Sequence, residues 1–317
     1  MEESLRVENL KAYYFTSNSI VKAVDNISFV LHKGESLGIA GESACGKSTL
    51  GLSMMRMLQP PGKIVDGKIV LHGTDVLALG EKEYTRKVRW KRISMVFQGA
   101  MNALDPVYSI KDQLKEVLTI HGFPQEKMEA HTREAVKQVG LDPTVINRYP
   151  HELSGGMKQR IVIAMALMLE PEFVIADEPT TALDVLVQAQ IINLLKKLKK
   201  EGMTIMLITH DLAIVSEIAD KIGVMYAGEI IEFGSAEQIY GEPKHPYTQA
   251  LIAAIPRLKG DKTISYVKGN PPNLANPPKG CRFYDRCAHA MDARKQDPPL
   301  IKIKDGYVRC WLYENAQ

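Results

Sequence analysis

An α/β fold built on a parallel sheet, with an inserted helical lobe and a loop-rich C-terminal extension, is predicted by three observations. A strand-like run at Glu35–Ala40 leads straight into a glycine-rich loop and then a helix at Thr49–Leu58. Two short apolar runs, F-V-I-A at Phe173–Ala176 and T-I-M-L-I-T at Thr204–Thr209, are separated by the amphipathic stretch Val187–Lys200, as in a strand–helix–strand crossover. Between about Gly99 and Met168 the apolar spacing changes to three and four, and after Ile239 proline pairs punctuate the chain.

In chain order, alternation around Leu5–Leu10 and again at Val24–Leu31 predicts two strands before the glycine-rich loop. The helix after that loop is expected to stop at Gln59-Pro60-Pro61-Gly62, and short strands at Gly67–Leu71 and Ile93–Gln98 follow. Ile110–Ile120 and His131–Val139 carry the helical spacing of the inserted lobe. Pro271-Pro272, Pro277-Pro278 and Pro298-Pro299 mark the tail as dominated by loops. The expected organisation is an α/β core over 1–98 and 169–240, a helical lobe over 99–168 and an extension over 241–317.

Composition excludes several classes. At 317 residues, 45% hydrophobic and 24% charged, the chain has ordinary globular values and room for a sizeable core. Forty basic against thirty-seven acidic residues, a net +3, do not call for nucleic acid as the principal partner. The longest apolar run, Ile161–Leu169, is nine residues, well short of the roughly 20 that cross a bilayer. The start M-E-E-S-L-R is acidic with no apolar segment behind it, so no secretory signal is expected and the cytoplasm is the expected compartment. Three of four cysteines, Cys281, Cys287 and Cys310, fall near the C-terminus, and in a reducing compartment such clustering favours a metal over disulfides.

The strongest chemical signal is G-E-S-A-C-G-K-S at Gly41–Ser48, which satisfies G-x-x-x-x-G-K-[ST] at every fixed position. Clustered phosphate charge is met by backbone N–H groups at a helix start, so Gly41, Ser43, Cys45, Gly46, Lys47, Ser48 and Thr49 form the expected cradle for a nucleoside triphosphate. Lys47 is expected to reach the β- and γ-phosphates and Ser48 to ligate Mg²⁺. Cys45, inside this loop, reads as a small tolerated side chain rather than a nucleophile. Asp177-Glu178 follows the strand F-V-I-A; Asp177 is expected to hold the metal through water and Glu178 to act as general base. Gln98 and His210 are each expected to end a strand, and Asp184 to follow the turn P-T-T-A-L-D, where open α/β sheets present ligand-binding residues. L-S-G-G-M-K-Q-R at Leu153–Arg160 is a second glycine pair, preceded by a serine, at an expected helix start.

In this order these motifs closely resemble the nucleotide-binding subunit of ATP-binding cassette (ABC) transporters: the phosphate loop, the Q-loop Gln98, the signature L-S-G-G-M, the F-V-I-A-D-E run, the D-loop A-L-D and the switch His210. The resemblance covers Leu5 to about Ile239. It implies a phosphate-loop ATPase core and two cassettes paired head to tail, with Ser154, Gly155 and Gly156 closing over the partner's ATP. It also implies Gln98 at the metal or attacking water and at the membrane partner, His210 at the γ-phosphate, Asp184 at the opposite cassette, and an aromatic on adenine, Tyr14 with Tyr13 as runner-up. H-P-Y-T-Q-A-L-I-A-A-I-P-R at His245–Arg257 and V-F-Q-G-A-M-N-A-L-D-P resemble the oligopeptide and dipeptide branch. That branch implies import with two membrane permease subunits, a second cassette and an extracytoplasmic binding protein, at the cytoplasmic face of the membrane. Nickel or oligosaccharide import, a soluble cassette acting on DNA or ribosomes, and a regulatory cassette are the alternatives.

The tail G-C-R-F-Y-D-R-C-A-H-A-M-D-A-R with a late V-R-C also resembles that branch, whose four cysteines suit an iron–sulfur cluster. Here Arg294 stands at the third cysteine position. Cys281, Cys287 and Cys310 are therefore candidate ligands of a [4Fe-4S] cluster with a non-cysteine fourth ligand, or of Zn²⁺ with His289, against the alternative that they are small buried apolar residues.

Overall fold

The computed structural model describes residues 2–255, 267–290 and 296–314. The chain divides into two units, Met1–Leu77 with Leu207–Gln317, and Ala78–Met206.

The first unit starts with two long strands, β1 (Glu3–Phe15) and β2 (Ile20–His32), paired antiparallel. Buried Leu5, Val7, Leu10 and Ala12 on β1 face buried Val24, Ile27, Phe29 and Leu31 on β2. β3 (Ser36–Ala40) is buried along its whole length and enters the glycine-rich loop, after which α1 spans Lys47–Met54. The proline turn then feeds β4 (Gly62–Leu71) directly, so the strand begins five residues before its apolar stretch suggests; β5 (Thr74–Asp75) completes an antiparallel sheet in the order β2-β1-β4-β5. α1 is correspondingly shorter than its apolar spacing predicts, because Met55 to Gln59 leave the helix on the way into that turn.

The second unit contains α2 (Glu81–Lys87), β6 (Ile93–Val96), and the helices α3 (Ile110–Ile120), α4 (Met128–Gln138) and α5 (Gly155–Leu167). Ser109 caps α3 through the Asp112 N–H, and α3 buries Ile110, Leu114 and Leu118, one stripe at spacing four. β7 (Phe173–Asp177) pairs parallel with β6, and α6 (Val185–Lys200) follows it, burying Ile191, Ile192, Leu194, Leu195 and Leu198. Every residue of β7 is buried, as expected for a parallel strand covered on both faces. β8 (Thr204–Ile208) runs from this unit into the first.

Back in the first unit, α7 (Leu212–Ile218) precedes the hairpin β9 (Lys221–Tyr226) and β10 (Glu229–Ser235), and β9 pairs parallel with β3. α8 (Ala236–Gly241) and α9 (Pro246–Ala253) continue the chain. The extension is loop-rich but holds regular structure that its prolines conceal. β11 (Leu300–Ile303) and β12 (Gly306–Arg309) form a hairpin, and β12 adds antiparallel to β10, with Glu232 opposite Val308 and Phe233 opposite Tyr307. Phe233 stacks on Tyr307 at 5.6 Å and on Phe29 at 6.3 Å, and the Tyr307 hydroxyl donates to Ser28 O. Among the described residues, no helix is long and apolar enough to cross a membrane.

Candidate functional site

In the first unit, the loop between β3 and α1 is shaped by Gly46, which has φ +107° and no room for a side chain: a Cβ there would lie 1.9 Å from Ala23 O. From it α1 starts at Lys47 with its first N–H groups turned back toward the loop. Lys47 is buried, and its Nζ donates to Gly41 O at 2.8 Å and Glu42 O at 2.9 Å. The ammonium is thus held over the loop by carbonyl oxygens, a set of acceptors that phosphate oxygens would replace. Cys45 is buried, and burial pushes its thiol pKa up, against the pull of Lys47; this is a packing residue, not a reactive one. Its carbonyl accepts from Gly228 N at 2.8 Å, tying the loop to the β9–β10 turn.

Ser43 is exposed, while Ser48 and Thr49, on the first turn of α1, are half-buried. Tyr14 and Tyr13 diverge at the end of β1. Tyr14 places its hydroxyl 3.4 Å from the Thr49 hydroxyl, next to the loop, whereas the Tyr13 hydroxyl donates to Asp25. His210, two residues past the end of β8, is exposed, and Asp211 behind it caps α7 by accepting from Ala213 N at 2.8 Å.

In the second unit, β7 delivers buried Asp177 and half-buried Glu178. Glu178 lies at φ +51°, a left-handed conformation that a strand does not adopt, so the chain turns sharply there; its Oε2 accepts from the Thr181 hydroxyl at 2.8 Å. Asp184 is the N-cap of α6, its Oδ1 accepting from Val187 N at 2.9 Å. Gln98 sits in a turn two residues beyond the end of β6 rather than on the strand, and is exposed.

Ser154 is the N-cap of α5, accepting from Met157 N at 3.3 Å, and Gly155 and Gly156 are the first two residues of that helix. The glycines are not equivalent. A Cβ at Gly156 would lie 2.6 Å from Val187 Cγ1 on α6, so Gly156 lets two helices approach closely; one at Gly155 would meet Leu183 at 3.7 Å, an ordinary contact. Val185 and Leu186, next to Asp184, are 83% and 70% exposed, an apolar patch on the unit that carries Ser154.

The tail cysteines do not form a ligand set: among the described residues no group of His, Cys, Asp and Glu could hold a metal ion. Cys281 packs in the cluster of Tyr226, Tyr247 and Phe283, with Cys287 at its margin, while Cys310 packs in another cluster with Ile301 and Val308. Cys281 and Cys310 are buried among apolar side chains and Cys287 is half-buried, so the expected iron–sulfur or zinc centre finds no support among the described residues. His289 is exposed, and Arg294 lies outside the described residues.

Three contacts of the phosphate loop went unread in the sequence. Glu42, a freely variable position of the loop motif, donates its N–H to the Tyr247 hydroxyl at 3.0 Å, and its carboxylate accepts two bonds from Arg286, at 2.6 and 2.8 Å. The only available signal is the unusual presence of an acid in a loop meant for anions. The hard oxygen donors Ser48, Asp177 and Gln98, taken as residue types, suit Mg²⁺.

Comparison with known proteins gives a consistent answer. Residues 24–181 match the family model described as "ABC transporter", and residues 231–293 match "Oligopeptide/dipeptide transporter, C-terminal region". The chain is 42% identical to the "Dipeptide transport ATP-binding protein DppD" of Caldanaerobacter subterraneus subsp. tengcongensis, over 99% of this chain and 98% of the relative. It is 44% identical to the "Oligopeptide transport ATP-binding protein AppD" of Bacillus subtilis, again over 99% and 98%. Among solved structures, the ATP-binding cassette MJ0796 in a dimeric post-hydrolysis state with ADP and Pi aligns with TM-score 0.65 at 28% identity, over 73% of this chain and 98% of that one. The structure of cbiO1 from Clostridium perfringens, part of the ABC transporter complex cbiONQ, aligns with TM-score 0.66 at 28% identity, over 76% and 92%.

Proposed function

From a chain that belongs to the ABC transporter family, and to its oligopeptide and dipeptide branch, we infer an ATP-hydrolysing subunit that energises a membrane importer of di- and oligopeptides. The observation that carries the reading is the loop from Gly41 to Ser48, with buried Lys47 held by the Gly41 and Glu42 carbonyls at the start of α1.

Each candidate residue takes one role. The loop N–H groups from Ser43 to Thr49 and the Lys47 ammonium hold the triphosphate, and Tyr14 offers its ring to adenine. Ser48, Asp177 and Gln98 hold Mg²⁺, directly or through water; the metal, when bound, neutralises phosphate charge during in-line attack. Glu178 takes the proton of the attacking water, and the Thr181 hydroxyl donating to its Oε2 fixes its orientation. His210 contacts the γ-phosphate.

Ser154 and Gly155, at the exposed N-terminus of α5, serve the ATP of a second cassette that pairs head to tail, with Asp184 at the same interface. The exposed Val185 and Leu186 beside Asp184 favour such a partner, since apolar side chains this exposed are stabilised by being covered. The assembly comprises two cassettes, two permease subunits and an extracytoplasmic binding protein, with this chain peripheral at the cytoplasmic face of the membrane.

The test is purification from the native membrane followed by reconstitution. Recovery with two permeases, and ATP-dependent uptake of labelled di- or tripeptides into vesicles, is expected. Recovery as a lone ATPase, or uptake of nickel or an oligosaccharide instead, refutes the peptide assignment.

A further inference from the structure

Glu42 is anchored through three groups, two of them held by the C-terminal extension. Its carbonyl accepts from Lys47, its N–H donates to the Tyr247 hydroxyl on α9, and its carboxylate takes the fork of Arg286. Arg286 is itself fixed. Its side chain is 5% exposed; its Nε donates to Lys268 O at 2.9 Å, its Nη2 to Val267 O at 3.2 Å and its Nη1 to the Tyr226 hydroxyl at 3.3 Å. Its guanidinium lies 5.7 Å from the centre of the Tyr226 ring and 5.9 Å from that of Phe283. The Glu42 hydrogen bonds, helped by the Tyr226 hydroxyl, raise the arginine pKa above its ordinary value against the opposing effect of burial. Tyr226, Tyr247 and Phe283 form one aromatic cluster, with ring centres 4.6 to 5.4 Å apart, so the two tail segments that reach Glu42 are packed on each other.

The electrostatic consequence is specific. A carboxylate in the second position of a phosphate-binding loop repels the triphosphate, and repulsion between charges falls off slowly where water is partly excluded. A bidentate guanidinium offsets that charge and fixes the carboxylate in one geometry. We propose that Arg286, with Tyr247, is a positioning residue for nucleotide: the tail holds the phosphate loop in its binding geometry and neutralises Glu42. This rests on the ATPase reading above and gives the extension a function, setting the affinity for ATP.

The test is titration of the full-length chain with MgATP by calorimetry, at low and at high salt. Arg286→Ala is expected to weaken binding about tenfold, or about 1.4 kcal/mol. The deficit should shrink at 0.5 M salt, because the Glu42 side chain, 27% exposed, leaves part of that repulsion open to screening, whereas a merely misfolded loop would not recover. Removing the charge should restore binding, so the pair Glu42→Gln with Arg286→Met is expected within about threefold of the wild type. This uncharged pair also carries the test if Arg286→Ala does not fold. Arg286→Ala binding as tightly as wild type, or the uncharged pair remaining tenfold weaker, overturns the proposal. A wild-type chain that fails to bind MgATP overturns the ATPase reading itself, a separate outcome.

Discussion

Replacing Gly156 by alanine separates the two glycines of L-S-G-G-M by physics alone. In α5 the added Cβ lands 2.6 Å from Val187 Cγ1, about 1 Å inside ordinary van der Waals contact. Val187 is β-branched and on a helix, so one χ1 rotamer dominates and it cannot swing away freely; α5 and α6 must separate instead. Overpacking of this kind costs about 1–3 kcal/mol, against a gain of at most about 1 kcal/mol from alanine's better helix propensity. The net expectation is a loss of about 1–2 kcal/mol for Gly156→Ala, and for Gly155→Ala, with 3.7 Å to its nearest neighbour, no loss or a small gain. Urea denaturation of the isolated chain, followed by circular dichroism, reads both, and adding Val187→Ala to Gly156→Ala should recover most of the deficit. Equal stability of the two single variants, or failure of Val187→Ala to rescue, refutes the packing argument. Gly155→Ala is then the cleaner probe of hydrolysis at a partner's ATP.

Three further expectations follow from the geometry. Glu178→Gln should lower steady-state ATP hydrolysis by about 10²–10⁴ while MgATP binding persists; near-normal hydrolysis removes Glu178 as the base. Tyr14→Ala should weaken ATP binding severalfold, whereas Tyr13→Phe should appear in stability, through the lost bond to Asp25; a reversed pattern would assign the adenine contact to Tyr13. Burial works against the Asp25 carboxylate, but the Tyr13 hydroxyl and the Arg282 guanidinium outweigh it and hold its pKa below the ordinary 3.8. Its contribution to stability is therefore complete above that pH and lost as pH falls through the lowered folded value, so Asp25→Asn should flatten the acid limb of the stability curve; an unchanged acid limb refutes the pairing.

Much of this was legible because the signals were local. The loop motif, the strand F-V-I-A before Asp177-Glu178, and the capping serine of L-S-G-G-M each depend on neighbours in sequence, and β3, β7 and the start of α5 fall where those signals put them. What was illegible depends on distant partners. Phe233 and Tyr307 pair across more than seventy residues of proline-rich chain, so β12 had no local pattern strong enough to announce it. The role of Gly156 is set by Val187, and that of Glu42 by Arg286, residues that motif spacing does not relate. The cysteines illustrate the same limit: spacing near one end of the sequence does not say what each packs against, and Cys281 and Cys310 are assigned to different apolar clusters.

The placement of the β11–β12 hairpin against β10 has a consequence for solubility. Without it, β10 would present a row of unpaired N–H and C=O groups along Glu232 and Phe233, a template on which a strand of another molecule can grow. The hairpin replaces that template with a strand of four residues whose border carries Lys302 and Lys304, short and cationic and so poorly suited to recruiting a neighbour. A chain cut before Leu300 should therefore self-associate as its concentration rises, even where its phosphate loop is still intact, and light scattering would register that before any loss of ATP binding.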